Sequence, residues 1–194
     1  MRTASIGRNT KETKIKLELN LDGTGAYDIK TGISFFDHML AQVARHGLIN
    51  LNITAVGDLE VDSHHTVEDI GIVLGQAIKK ALGEKNSICR YGSAHVPMDE
   101  ALALVVIDLS GRAYLKFQAQ LGKGHLGNFD LELVEEFFRA VAFQSGMTLH
   151  IHLLDGNNLH HCAEAIFKAF GRALAAAVKI DERIKEVPST KGTL

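Results

Sequence analysis

Two stretches of this chain match each other, His64-His65-Thr66-Val67-Glu68-Asp69 and His160-His161-Cys162-Ala163-Glu164-Ala165. Both read His-His-x-x-Glu, they begin 96 positions apart, and each leads into small and apolar residues at helical spacing. A box repeated at that distance in a chain of 194 residues points to an internal duplication, so the fold must be built from two like units. The pattern around the boxes agrees. In the first half, residues 13–21 alternate as a half-buried strand, Asp22 to Gly25 is a turn, and residues 26–30 return as a hairpin partner. A helix from Ile33 carries Phe35, Phe36, Met39, Leu40 and Val43 and stops near Gly47; residues 48–56 alternate again, and a long helix runs from about Thr66 to Leu82.

The second half repeats that order. Residues 101–109 and 112–119 read as paired strands, 121–128 as a glycine-rich loop, 129–144 as a helix, 146–154 as a strand, and 160–178 as the closing helix. "LGQAIKKAL" and "FGRALAAAV" stand at comparable places in the two closing helices. The expected architecture is α+β, a duplicated β-β-α-β-α unit with two four-stranded sheets, divided at 1–92 and 93–194. The run Leu102 to Ile107 is apolar enough to require cover on both faces, from the other half or from another subunit.

Composition narrows the function. A formal net charge of -2 argues against nucleic-acid binding, and the absence of tryptophan argues against an aromatic binding platform. Cys89 and Cys162 have no CxxC neighbour, and no apolar run approaches membrane length, so a reduced, cytoplasmic protein is expected.

On a helix, residues i and i+4 share a face, which places His64 with Glu68 and His160 with Glu164. Adjacent histidines sit about 100° apart around the axis, so the two in each box serve different ions, and two neighbouring metal sites result. Imidazole and carboxylate together suit Mn, Fe, Zn, Co or Ni. His38 in the preceding helix and Glu136 at the related place of the second half each offer a further ligand. His46, two helical turns beyond His38, shares a polar strip with Gln42 and Arg45. Arg90, Arg112 and Lys168 are candidates for an anion clamp, and the Ser189–Lys191 tail for a segment closing over it. His150 and His152 share a strand face, and Cys162 reads as packing. On these residues alone, a metal-assisted lyase, a dinuclear metallohydrolase acting on a phosphorylated substrate and a non-catalytic metal-stabilised assembly all stay open.

The stretches "FFDHML", "DSHHTVEDIGIVLGQA", "RYGSAHVPMDEAL", "NLHHCAEAIFKAFGRAL" and "PSTKG", in that order, resemble the imidazoleglycerol-phosphate dehydratase family over essentially the whole chain. The resemblance implies a ribosomal protein S5 domain 2-like duplicated fold and trimers assembled into a 24-subunit particle. It implies two Mn2+ ions per active site and the dehydration of imidazole glycerol phosphate to imidazole acetol phosphate in histidine biosynthesis. One cluster would take His64, His160 and Glu164, with Glu136 standing where the family often has histidine; the other would take His38, His65, Glu68 and His161. Residues matching the phosphate site are Gln42, Arg90, Arg112, Lys168, Ser189 and Lys191, while Glu12, His46, Met98 and Asp99 match others lining the pocket. In the implied chemistry, an imidazole ring held in its anionic form expels the C3 hydroxyl through a diazafulvene-like intermediate. A carboxylate then removes the C2 proton. Glu12 is the expected base, with Asp99 and His46 as candidate partners and Glu68 and Glu164 as rivals.

Overall fold

The computed structural model describes residues 1–194. The first sheet contains β1 (Thr3–Asn9), β2 (Thr13–Asn20), β3 (Tyr27–Lys30) and β4 (Asn50–Gly57), with helices α1 (Ser34–Gly47) and α2 (His64–Leu82). The second contains β5 (Tyr91–Met98), β6 (Ala101–Asp108), β7 (Tyr114–Gln118) and β10 (Thr148–Asp155), with α3 (Leu133–Ser145) and α4 (Leu159–Val178). A two-stranded ribbon, β8 (His125–Leu126) and β9 (Phe129–Asp130), stands between β7 and α3. The strand orders β1-β2-β4-β3 and β5-β6-β10-β7 correspond element for element, so the duplication is present in three dimensions.

Several local expectations change. Each unit has a leading strand, β1 and β5, that the periodicity did not mark; Ala4, Arg8, Gly92 and Ala94 at their inward positions are too small or too polar to show an apolar alternation. Residues 26–30 and 112–119 do not return as hairpin partners. β3 pairs parallel with β4, and β7 pairs parallel with β10, because β4 and β10 insert between the strands that are consecutive in sequence. Parallel neighbours need a crossover, and α1 and α3 supply it. The expected loop at 121–128 contains β8, and α3 starts at Leu133 instead of 129, since Phe129–Asp130 is committed to the ribbon.

Helices α1 and α2 cover one face of the first sheet, α3 and α4 one face of the second, and the helices of the two repeats then meet: α1 lies against α4, and α2 against α3. Their seam holds Phe36, Phe137, Phe138, Phe167 and Phe170, all fully buried and in ring contact. Burying each phenyl group contributes about 1.5–3 kcal/mol. The seam needs close approach. A Cβ at Gly171 of α4 would come within 2.8 Å of Val43 O on α1, and one at Gly75 of α2 within 2.7 Å of Val141 O on α3. These are the glycines of the matched "LGQA" and "FGRA" stretches, so the recurrence marks two equivalent helix crossings.

The other face of each sheet is outside this packing. On the second sheet it carries Leu102 and Leu104, half-buried, and Val106, exposed, with His150 and His152 beside them. The other half of the chain therefore does not provide the cover expected there.

Candidate functional site

Both boxes begin helices. His64 is the first residue of α2, with its N–H donated to Asp62 Oδ1 at 2.7 Å. In α4 the Asn158 side chain caps the N-terminus, accepting from the N–H of His160 at 2.9 Å and of His161 at 3.4 Å. Because i and i+4 share a face, His160 Nε2 lies 3.0 Å from Glu164 Oε2 and His64 Nε2 lies 3.8 Å from Glu68 Oε2.

The third member of the α4 cluster comes from the other repeat. His38 Nε2 on α1 lies 3.2 Å from the same Glu164 Oε2, so two imidazole nitrogens converge on one carboxylate oxygen. The ligand atoms of His38, His160 and Glu164 all fall within 4.8 Å of one another. The neighbouring Asp37 is spent on structure, accepting the N–H and hydroxyl of Thr31 at 2.9 and 2.6 Å. His38 thus lies beside His160 and Glu164 here, although the resemblance implies different clusters for them. Within one chain α1 packs on α4, and that contact decides His38's neighbours.

Glu164 is only 5% exposed. Burial works against its charge, yet Lys168 Nζ at 2.6 Å, aided by His38 and His160, holds its pKa below the usual carboxylate range. It therefore stays anionic, as a ligand for a divalent ion must. Two nitrogens and a buried carboxylate form a donor set suited to Mn2+ and its neighbours, and the residues present fit such an ion. Gln42 Nε2 lies 3.4 Å from His38 Nε2, and Lys168 reaches Met98 Sδ at 3.9 Å, so these three candidates belong to this cluster's surroundings. His46 faces Lys168 and Arg172, and its pKa is lowered by burial first and by those cations second.

The α2 box is more open. His64 and Glu136 of α3 line one cavity of about 540 Å³, with His125, Asn128 and Asp130 of the ribbon. Glu136 thus faces the α2 box across open space, without the close convergence that His38 makes on Glu164. His65 Nε2 is 3.9 Å from Glu12 Oε1, and His161 Nε2 is 3.9 Å from Asp99 Oδ2. Both acids sit on hairpin turns above their boxes; Asp99 has φ 48°, a left-handed conformation that aspartate tolerates better than most residues.

Arg90, Arg112, Ser189 and Lys191 come together elsewhere, around a groove of about 750 Å³ closed by the C-terminal tail. Arg90 is fixed there, bonding Asp108 at 2.7 Å and the carbonyl of Pro188 at 2.8 Å. The expected phosphate set is therefore split within one chain: these four in the groove, Gln42 and Lys168 beside Glu164. Two acids were missed by sequence reasoning, Asp58 and Glu100, each bonded to the second histidine of a box. The available signal was the matched spacing of Glu12 and Glu100, each one residue ahead of the strand that follows it.

The family model described as imidazoleglycerol-phosphate dehydratase matches residues 31–174. This chain belongs to the imidazoleglycerol-phosphate dehydratase family. It is 62% identical over 193 residues to the protein of that name from Acetivibrio thermocellus, covering 100% of this chain and 99% of that one. The relative from Caldanaerobacter subterraneus subsp. tengcongensis is 59% identical over 194 residues, with both chains covered in full. The crystal structure of the dehydratase from Staphylococcus aureus subsp. aureus superposes with a TM-score of 0.84 at 45% identity, over 92% of this chain and 99% of that chain. The structure from Pyrococcus furiosus gives 0.84 at 39% identity, over 97% and 100%. The family's dehydratase fold is thus the duplicated one described above.

Proposed function

We propose that this chain removes water from imidazole glycerol phosphate to give imidazole acetol phosphate, a step of histidine biosynthesis, with two Mn2+ ions per active site. The convergence of His38 and His160 on buried Glu164, in a chain of the dehydratase family, carries the reading. Bound at the two boxes, the ions would supply electrostatic stabilisation of an imidazole ring in its anionic form and a template that orients it.

The chain's own groups do the rest. His38, His160 and Glu164 hold one ion within a chain, and Glu136 with His64 and Glu68 offers the related set. His65 and His161 remain to complete them, which is what assembly of copies into trimers and a 24-subunit particle would accomplish. The uncovered apolar strip of the second sheet is available for such contacts. Arg90, Arg112, Ser189 and Lys191 bind the phosphate, with Gln42 and Lys168 arriving from the α1–α4 side. Loss of the C3 hydroxyl and of the C2 proton as water leaves an enol that tautomerises to the ketone. Glu12, exposed on its turn beside His65, takes the C2 proton, with Asp99 and His46 as its partners.

No helix here is long and apolar enough to cross a membrane, and both cysteines are free, in keeping with a cytoplasmic enzyme. The test is direct. Protein stripped with EDTA should be inactive on imidazole glycerol phosphate and recover with Mn2+, forming an enolisable ketone. Release of inorganic phosphate instead would identify a metallohydrolase, and no turnover in either state would leave a metal-stabilised assembly. Glu12→Gln with full turnover and intact metal content would remove Glu12 from the base role.

A further inference from the structure

In each box the second histidine is held from behind by a carboxylate from outside the box. His65 Nδ1 lies 3.0 and 3.2 Å from the two oxygens of Asp58, and His161 Nδ1 lies 2.8 Å from Glu100 Oε2. An ionised carboxylate only accepts, so in each neutral imidazole the proton sits on Nδ1 and the free lone pair is on Nε2.

The two repeats reach this contact from opposite ends. In the first, the acid is on the segment leading into α2, and the Asp58 N–H is tied to the Glu12 carbonyl at 3.1 Å. In the second, the acid is on the β5–β6 turn, and Glu100 accepts the N–H groups of Asn157 and Asn158 at 3.3 and 2.7 Å, beside the cap of α4. Glu12 and Glu100 each directly precede the second strand of their hairpins, yet only Glu100 turns to Nδ1; Glu12 stays on the Nε2 side. Duplication of one residue does not explain a contact supplied from non-equivalent positions. A common requirement at the histidine does.

The geometry points to Asp58 and Glu100 as positioning residues: each fixes the tautomer and ring orientation of the second histidine of its box, so that Nε2 is presented to a divalent ion. This rests on the metal reading above. Partners of this kind orient a ligating imidazole and raise its basicity, and removing one lowers metal affinity about ten- to a hundredfold.

Solid-state nitrogen-15 NMR on histidine-labelled, metal-free protein at about pH 9, where neutral imidazoles dominate, reads the tautomers without any ion. Asp58→Ala and Glu100→Ala should each convert one ring from the Nδ1–H form to the Nε2–H form. Mn2+ affinity, followed by the paramagnetic resonance of the free ion, should fall about ten- to a hundredfold in each. Asp58→Asn and Glu100→Gln keep an acceptor oxygen and should recover part of it; Glu100→Gln also keeps the bond to the α4 cap if the alanine variant fails to fold. Variants with wild-type tautomers, or with wild-type affinity, overturn the inference alone. A wild-type protein that takes up no Mn2+ removes the metal reading, and this inference with it.

Discussion

His38 Nε2 lies 3.2 Å from Glu164 Oε2, although 126 positions separate the two residues and each belongs to a different repeat. Neither box is therefore finished by its own half of the chain. The helix ahead of the first box serves the second, and Glu136, on the helix ahead of the second box, shares a cavity with His64 of the first.

Glu164 is the shared partner of His38, His160 and Lys168, so it is the residue whose charge the α4 cluster most depends on. Glu164→Gln keeps the shape and removes the charge. Metal analysis after dialysis should find one Mn2+ fewer per chain, with turnover reduced at least about a hundredfold, at the upper end of what losing a ligand's support costs. A full metal complement would take Glu164 out of the site.

Glu136 tests the other half. It faces the cavity of His64, with Arg139 Nε 3.7 Å from its carboxylate. Glu136→His should keep Mn2+ bound, since imidazole suits the same ion, whereas Glu136→Ala should lose about tenfold or more in affinity at one site. Equal titration curves for the two variants would show that Glu136 only lines the cavity.

Lys191 is exposed on the tail beside Arg90 and Arg112 and has no carboxylate partner there. Lys191→Ala should raise KM for the phosphorylated substrate about tenfold or more, the worth of one charge-assisted hydrogen bond, and leave kcat nearly unchanged. An unaltered KM would detach the tail from phosphate binding.

The depressed pKa of His46 makes a signed pH prediction. Unfolded, this imidazole takes a proton near its ordinary value; folded, burial, Lys168 and Arg172 resist it. Its contribution to stability is present above about pH 6.5 and is lost as pH falls through the lowered folded value. Melting curves between pH 7 and 5 should therefore decline less steeply for His46→Gln than for the wild type. Parallel curves would show that folding leaves the His46 pKa unshifted.

Gly171 links the fold to the cluster. A Cβ there would meet Val43 O at 2.8 Å, and the α1 backbone has no soft side chain to yield. Gly171→Ala should force α1 from α4, costing about 1–3 kcal/mol as overpacking does, and separate His38 from Glu164. The check is Mn2+ affinity at a temperature where the variant is fully folded. Undiminished affinity would mean that the crossing does not set the ligand geometry.

Much of this was legible beforehand because it depends on short-range geometry. The pairs His64–Glu68 and His160–Glu164 follow from the helical repeat, and the buried Cys162 from its place on an apolar face. β1 and β5 were not legible, because Ala4, Arg8, Gly92 and Ala94 stand where an alternating strand would show large apolar residues. The pairing of β3 and β7 was misread because a turn followed by an apolar stretch signals a hairpin locally, while the insertion of β4 and β10 is a choice made by the whole sheet. Asp58 gave no sign of its role, since a carboxylate at a turn looks the same whether it faces water or an imidazole; Glu100 gave only its match to Glu12, each one residue ahead of a strand.

The duplication, the start of a helix at each box, and the presence of nitrogen and carboxylate donors suited to a metal ion follow from residue order alone. Each of these lies within one element or repeats between two, where the spacing of side chains is set by backbone geometry. That α1 lies on α4 and α3 on α2 is settled by packing in three dimensions. That choice rests on the fit of whole helix surfaces, with Gly171 and Gly75 admitting backbone where any side chain would hold it off. It is this exchange of helices between repeats that brings His38 to Glu164.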